Sequence, residues 1–246
     1  MCTVALVPWR GQGYLLGHNR DEILTRARGI PPSRREHRGR IVLAPHDPEG
    51  GGTWIAVNDA GLTLCLLNGA ETNPARLPAS PRSRGLLLQE MLQADSIPAV
   101  VSGLQAVLPR LGEFRAFHLL IVEAGRASGR ARVLRMQWDG VMPAWSEHEG
   151  ACLFVSSSLD PAGVERERGA SWRALLAREG VPDPTTMARW LASHDPRPGP
   201  LTVCMHRPLA GTVSRTIVSV GAEGTEMRYH DGPPCNTAAA EVHLAL

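Results

Sequence analysis

The chain has 246 residues, of which 43% are hydrophobic and 20% charged, an ordinary composition for a globular protein. The formal net charge of +2 is too small for a general nucleic-acid-binding protein, so no nucleic-acid partner is expected. All 26 basic residues are arginine, which excludes Schiff-base lysines, P-loop phosphate lysines and lysine nucleophiles.

The five cysteines show no paired spacing, and Cys65, Cys152 and Cys204 sit in apolar runs typical of small buried side chains. The sequence has no C-x-x-C or H-E-x-x-H motif, which argues against a disulfide framework, a zinc site and a thioredoxin-like centre. The N-terminus has no basic n-region, and no 18 apolar residues run together. We therefore expect a cytoplasmic protein with no membrane span; the residues indicate no oligomeric state.

The first elements in chain order form a hairpin. Residues 3–9 suit a buried strand, residues 10–13 a turn, and residues 14–17 a second strand. The arginine-rich residues 26–40 are typical of an extended, positively charged loop. Further strands are predicted at 40–44, 53–57 and 62–67, the last two joined by the turn "NDAG".

Helices and strands alternate in blocks along the rest of the chain. Apolar spacing predicts helices at 83–94 and 98–107 and a largely helical region over 162–194. Strands are predicted at 114–125, 130–140, 151–157, 201–206, 212–221 and 225–232. Antiparallel blocks flanked by helices predict an α+β fold, and the absence of linkers predicts a single domain over 1–246.

Cys2 directly follows the initiator methionine, which is generally removed when the next side chain is small. The mature chain is then expected to begin with a thiol and a free α-amino group on one residue. Such an amine has a pKa of roughly 7.7–8.0, so near pH 7 a fraction of it is neutral and can take the proton of the nucleophile. A nearby guanidinium favours the thiolate further.

The polar run "HNRDE" follows the second strand of the predicted hairpin. If the hairpin forms, this run returns to the level of Cys2, where Arg20 lowers the thiol pKa or holds a substrate and Asp21 positions the ammonium group. His18, Asn19 and Glu22 then become candidates for substrate contact. The alternative is that the run is only the polar end of a strand, capping the helix-like "EILTRA".

Five short motifs in order resemble the NRDE family, also called the transport and Golgi organisation protein 2 family. They are "MCTV", "NRDE", "GGTW" followed by "VNDAGL" and "LLNG", "SRG", and the late Gly211-Thr212 with Thr216. The resemblance implies a four-layer αββα sandwich of two antiparallel sheets, the N-terminal-nucleophile hydrolase fold. It also implies a distant similarity to choloylglycine hydrolases and penicillin V acylases, which cleave linear carbon–nitrogen amide bonds.

The resemblance also implies roles for individual residues. Cys2 is the nucleophile and base, Asp21 the group that positions the ammonium, and Asn68 the oxyanion-hole amide, a type of contact worth on the order of 3 kcal/mol. Three positions depart from the acylases. His18 stands where they have an arginine, the serines of "VSSSLD" stand where they have a second asparagine, and Arg215 is displaced from the arginine usual after Gly-Thr.

Two classes of function fit these residues: an amidohydrolase or acyltransferase acting on an amide or thioester, and a carrier that holds haem or an acyl-CoA without turnover. No cofactor is required, although haem is a possible ligand, because family members have been linked to haem trafficking and acyl-CoA homeostasis. Arginines within 26–40 can pair with phosphates or carboxylates, although such loops are more often only solvated. Cys204, His206 and Cys235 can offer axial haem ligands, but no metal site is expected, and Trp54 is a candidate pocket wall.

Overall fold

The computed structural model describes residues 2–125, 131–195 and 197–246, so Met1 and residue 130 of one predicted strand lie outside the described residues. The strands are β1 (Cys2–Trp9), β2 (Gly13–Ile23), β3 (Ile30–His37), β4 (Arg40–His46), β5 (Ile55–Asn58), β6 (Leu62–Asn68), β7 (Phe117–Glu123), β8 (Arg132–Trp138), β9 (Pro143–Glu149), β10 (Cys152–Ser156), β11 (Ala210–Gly221), β12 (Gly224–Asp231) and β13 (Glu241–Ala245). The helices are α1 (Arg84–Glu90), α2 (Ile97–Gln105), α3 (Pro161–Glu179) and α4 (Pro184–Leu191), with short 3-10 helices at Pro74–Arg76 and Leu108–Glu113.

The strands form two antiparallel sheets. The first has the order β10-β1-β2-β11-β12-β13 and the second the order β3-β4-β5-β6-β7-β8-β9. Helices α3 and α4 pack on the outer face of the first sheet, and α1 and α2 on the outer face of the second. The predicted α+β fold and four-layer αββα sandwich are confirmed.

Strand β7 shows how the sequence specifies the layers. Its residues "LLIV" are apolar and buried on both faces of the sheet. Leu119 and Ile121 pack against the α1/α2 layer, whereas Leu120 and Val122 face the other sheet. Because successive strand side chains point to opposite faces, a continuous apolar run is what a strand buried on both sides requires.

Helices α3 and α4 begin at Asp-Pro pairs. The Asp160 carboxylate accepts a hydrogen bond from the Gly163 amide at 2.8 Å, and the Asp183 carboxylate accepts one from the Thr186 amide at 2.7 Å. Proline suits the first helical turn, where its missing N–H removes a donor without a helical partner. None of the helices in the described part of the chain combines the length and apolar character needed to cross a membrane.

Residues 26–40 are not a continuous loop. Residues 30–37 form the edge strand β3, which pairs with β4 through a tight turn at Arg38 and Gly39, both with positive φ. The register shifts between Ile30 and Ser33, where two prolines cannot donate to the ladder. Prolines and charged side chains are usual on edge strands, and here they made a strand resemble a loop.

Three other predictions differ from the structure. Strand β2 does not end at Gly17 but continues to Ile23, because residues 18–20 pair with both β1 and β11 and residues 21–23 pair with β11. Residues 201–206 form only isolated bridges, and the Cys204 and His206 amides donate instead to the carbonyls of Ser193 and Gly199. Strands β9 and β13 were not predicted, because their side chains are largely exposed and lack an apolar signal.

Candidate functional site

The N-terminal hairpin places Cys2 beside the polar run, as predicted. In the β1–β2 pairing Cys2 lies opposite Arg20, and in the β1–β10 pairing it lies opposite Ser156. Cys2 is thus held at the start of an interior strand, with a neighbour on each side. The hydrogen bonds of the sheet, and not a loop, therefore fix the position of Cys2.

Cys2 lies in a cleft of about 510 Å³. Six of the eight predicted site residues line it, namely Cys2, Arg20, Asp21, Glu22, Trp54 and Asn68. Five arginines and four carboxylates line the same cleft. The arginines are Arg20, Arg26, Arg82, Arg84 and Arg115, and the carboxylates are those of Asp21, Glu22, Asp47 and Glu49. The cleft is therefore strongly polar and carries charges of both signs.

The Cys2 side chain is only 8% exposed. Burial raises the pKa of its thiol, and the negative charge of Asp21 acts in the same direction, while a hydrogen bond from the Asp21 backbone and the charge of Arg20 lower it. The Cys2 backbone nitrogen donates to the Ser156 hydroxyl at 3.0 Å. A thiol in this environment stays protonated near pH 7 unless a base takes its proton.

Asp21 is fixed by partners on the helix side of the first sheet. Its Oδ2 atom lies 3.0 Å from Nη1 of Arg168, a fully buried arginine of α3. Its Oδ1 atom accepts a hydrogen bond from the Thr212 hydroxyl at 2.6 Å. Arg168 also donates to the hydroxyl of Thr3, the residue next to Cys2. The carboxylate is therefore held rigidly, since each oxygen has a fixed donor.

Arg20 is held over an aromatic wall. Its guanidinium carbon lies 4.1 Å from the ring centroid of Trp54, and its Nη2 atom lies 3.6 Å from Asp47 and 3.7 Å from Glu22. Arg26 shares this acidic pair, with its Nη2 atom 2.7 Å from Asp47. The indole nitrogen of Trp54 is buried and has no hydrogen-bond partner among the described residues.

The motifs "GGTW" and "SRG" meet backbone to backbone at the cleft. A Cβ atom on Gly52 would lie 2.2 Å from the carbonyl carbon of Gly85, and one on Gly85 would lie 2.8 Å from the Thr53 amide nitrogen. Two glycines are therefore required for this close approach. Trp54, which follows Gly52 in its motif, and Arg84, which directly precedes Gly85, both line the cleft.

His18 and Asn19 lie outside the cleft lining. His18 is fully buried opposite Val4, and neither of its ring nitrogens has a partner among the described residues. Asn19 points to the helix layer, where its amide donates to the carbonyls of Leu191 at 2.7 Å and Val203 at 3.0 Å. Their proposed contact with substrate stays a prediction, and the structure gives Asn19 a role in joining α4 to the sheet.

Sequence reasoning missed two functional candidates. Ser156 was noted only as a departure from the acylase pattern, yet its hydroxyl accepts from the Cys2 nitrogen. Arg168 lies in a helix with several other arginines, and no local signal marks it as the one that is buried. Thr212 belongs to the "GT" motif named in the sequence, and the structure explains its presence there, because its hydroxyl donates a hydrogen bond to Asp21.

The sequence of the chain matches one protein family. The model of the family described as Transport and Golgi organisation 2 matches residues 1–152, more than half of the chain. The chain belongs to this family. No curated protein matches it significantly.

The fold of this family member is similar to that of a solved amidase structure. The Caenorhabditis elegans ortholog of N-acylethanolamine-hydrolyzing acid amidase is similar with a TM-score of 0.61 at 11% identity, over 88% of this chain and 92% of that one. A mutant conjugated bile acid hydrolase from Clostridium perfringens gives a TM-score of 0.46 at 11% identity, over 99% of this chain and 92% of that one. The chain therefore shares the overall fold of the Caenorhabditis elegans protein.

Proposed function

We propose that this protein is an N-terminal-nucleophile cysteine hydrolase that cleaves an amide or thioester bond of an acyl substrate through Cys2. The observation that carries the proposal is the placement of Cys2 at the head of β1, inside a polar cleft, with its nitrogen 3.0 Å from the Ser156 hydroxyl. A nucleophile and a potential base then occupy one residue that the sheet holds in place.

The first half of the reaction forms an acyl-enzyme. Removal of Met1 leaves an α-amino group on Cys2, with a pKa of roughly 7.7–8.0, and its neutral form accepts the thiol proton. The thiolate attacks the acyl carbonyl carbon, a C–S bond forms, and the carbonyl electrons move to oxygen. When the tetrahedral intermediate collapses, the C–N or C–S bond of the substrate breaks and the ammonium returns its proton to the leaving amine or thiol.

Water completes the cycle. The α-amino group now takes a proton from a water molecule, and the resulting hydroxide attacks the acyl carbon. The C–S bond then breaks to release the carboxylic acid, and the Cys2 thiolate takes the proton back from the ammonium. Asn68 is the oxyanion donor of the proposal, because its side chain is exposed in the same cleft at the end of β6. Asp21 and Ser156 hold the amine in position.

The charged lining favours substrates with polar or anionic groups near the scissile bond. Arg84 is the strongest candidate for such a contact, because its guanidinium donates to the Ala116 carbonyl at 2.9 Å and has no ion pair with a carboxylate among the described residues. An acyl-CoA thioester and an amide with an anionic acyl group both fit this chemistry.

The proposal is tested first on Cys2. We expect Cys2→Ala to abolish cleavage of a panel of acyl amides and acyl-CoA thioesters, because both the nucleophile and its activation are lost. The matched control is Cys152→Ala, which removes a thiol outside the cleft lining and should retain wild-type turnover. Intact-mass spectrometry of the active protein should show the loss of one methionine. Full activity of Cys2→Ala, or an active protein that keeps Met1, would overturn the proposal.

A second candidate is a carrier that uses the same cleft to hold an acyl-CoA or haem without turnover. The five lining arginines favour it, since guanidinium groups pair with phosphates and carboxylates. Equilibrium titration with palmitoyl-CoA and with haem separates the two functions. Saturable binding to both wild type and Cys2→Ala, without cleavage by either, would identify a carrier.

A further inference from the structure

Four potential metal ligands meet near the C-terminal part of the chain, away from the cleft. His194 follows α4, Cys204 and His206 lie on the segment before β11, and Cys235 lies between β12 and β13. One ligand atom from each of these residues lies within 4.8 Å of the others. The spacing along the chain gave no zinc motif, because the fold brings the four residues together from three separate segments.

The distances within this cluster match those of a tetrahedral site. The sulfur of Cys204 lies 3.6 Å and that of Cys235 3.5 Å from Nε2 of His206. With Zn–S near 2.3 Å and Zn–N near 2.0–2.1 Å, tetrahedral angles place sulfur and nitrogen ligands about 3.6 Å apart. The two histidine Nε2 atoms are 3.0 Å apart, close to the separation of about 3.3 Å that the same geometry gives.

We propose that His194, Cys204, His206 and Cys235 bind one zinc ion. Two thiolates and two imidazoles are a donor set that zinc prefers, and four protein ligands leave no open position, as in structural sites. A haem iron offers only two axial positions, so it cannot bind four ligand atoms that lie within 4.8 Å of one another. These residues therefore suit a zinc ion better than the axial haem ligation that the sequence also allowed.

Binding is balanced in protons and charge. One zinc ion displaces one proton from each thiol and binds both histidines in their neutral form, so two protons leave and the Zn–Cys₂His₂ group carries no net charge. Cys204 is fully buried and the other three ligands are half-buried. A neutral group suits this environment, because an uncompensated charge would be costly there.

The cluster also lies next to the support of Asp21. Met205, between two of the ligands, donates its amide to the Thr212 hydroxyl at 2.8 Å, and that hydroxyl donates to Asp21. Zinc would thus join the ends of α4 and β12 to the segment that supports the cleft. The zinc site does not depend on the proposed hydrolysis, because it is formed by other residues and its test measures the metal itself.

The test is zinc content. The full chain, purified with a thiol reductant after expression with zinc, is dialysed and measured by mass spectrometry of the metal. We expect about one zinc per chain in the wild type and a loss of about tenfold or more in Cys235→Ser and in His206→Gln. Cys152→Ser, which removes a cysteine outside the cluster, should keep its zinc.

A second measurement uses only the wild-type protein, so its result does not depend on whether a variant folds. Replacement of zinc by Co²⁺ in wild-type protein should give the visible absorption bands of a tetrahedral cobalt–thiolate site, and a chelator should lower the melting temperature.

Circular dichroism of Cys235→Ser should stay close to wild type, since Cys235 lies on a loop. Zinc below about a tenth of an equivalent in fully reduced wild type, or equal zinc in Cys235→Ser, would overturn the proposal. So would a Cys204–Cys235 disulfide whose reduced form binds no metal.

Discussion

Each polar residue of the run at 18–21 is buried, whereas one of the two interpretations of the sequence made the run only the polar end of a strand. Asn19 and Asp21 face the helix layer, and Arg20 faces Trp54. Each of these three has specific partners, which offset the cost of removing a polar or charged group from water.

The exception at this scale is His18, whose ring has no hydrogen-bond partner among the described residues. Burial lowers its pKa to about 3. The unfolded chain binds a proton there below about pH 6.5, so the free energy of unfolding is highest above that pH and falls as the pH drops, by up to about 1.4 kcal/mol per pH unit.

We expect His18→Gln to reduce this acid sensitivity, because the variant has no group to protonate on unfolding. Urea unfolding at neutral pH and at about pH 5 measures it, and the variant should lose roughly 1–2 kcal/mol less than wild type between the two. His243→Gln is the control, since that side chain is 52% exposed. Equal losses in wild type and His18→Gln would contradict the assignment.

At the scale of elements, short motifs that looked unrelated in sequence are in contact. "GGTW" and "SRG" meet through Gly52 and Gly85, and "NRDE" meets "GT" through Asp21 and Thr212. The turn "NDAG" also contacts the segment after α1, because the Asn58 side-chain amide donates to the carbonyls of Leu92 and Ala94. The motifs are therefore junctions between elements.

The Gly52–Gly85 junction can be tested by adding one methyl group. Gly52→Ala places its Cβ 2.2 Å from a backbone carbon that cannot move without shifting α1. We expect the free energy of unfolding to fall by about 1–3 kcal/mol, as for other overpacked sites. Gly112→Ala, whose Cβ would meet nothing within 4 Å, is the matched control and should stay within about 0.5 kcal/mol of wild type in the same urea titration.

At the scale of the whole molecule, the layer between the sheets joins the two halves of the sandwich. Side chains from β1 and β2 pack there against side chains from β5, β6 and β7. The proposal of a single domain over 1–246 is supported by this shared core, since neither sheet can bury its inner face alone. Cys2 sits at one end of this layer.

Loss of packing between the sheets should therefore destabilise the molecule as a whole. Leu120 is fully buried in this layer, and Leu120→Ala is expected to lower the free energy of unfolding by about 2–5 kcal/mol. Leu159→Ala changes a leucine that is 75% exposed and should have little effect. Chemical denaturation followed by tryptophan fluorescence measures both, and similar losses in the two variants would show that the layer is not the common core.

The sequence alone determined the α+β class, most strands and helices, and the hairpin that brings Arg20 to Cys2. These follow from local periodicity, turn residues and strand pairing between neighbours, which act over short distances along the chain. Only the tertiary structure decided the partners of Asp21, the place of Ser156, and the meeting of His194 and Cys235 with Cys204 and His206. Those contacts join segments far apart in the chain, and they depend on how four layers stack, which no local pattern encodes.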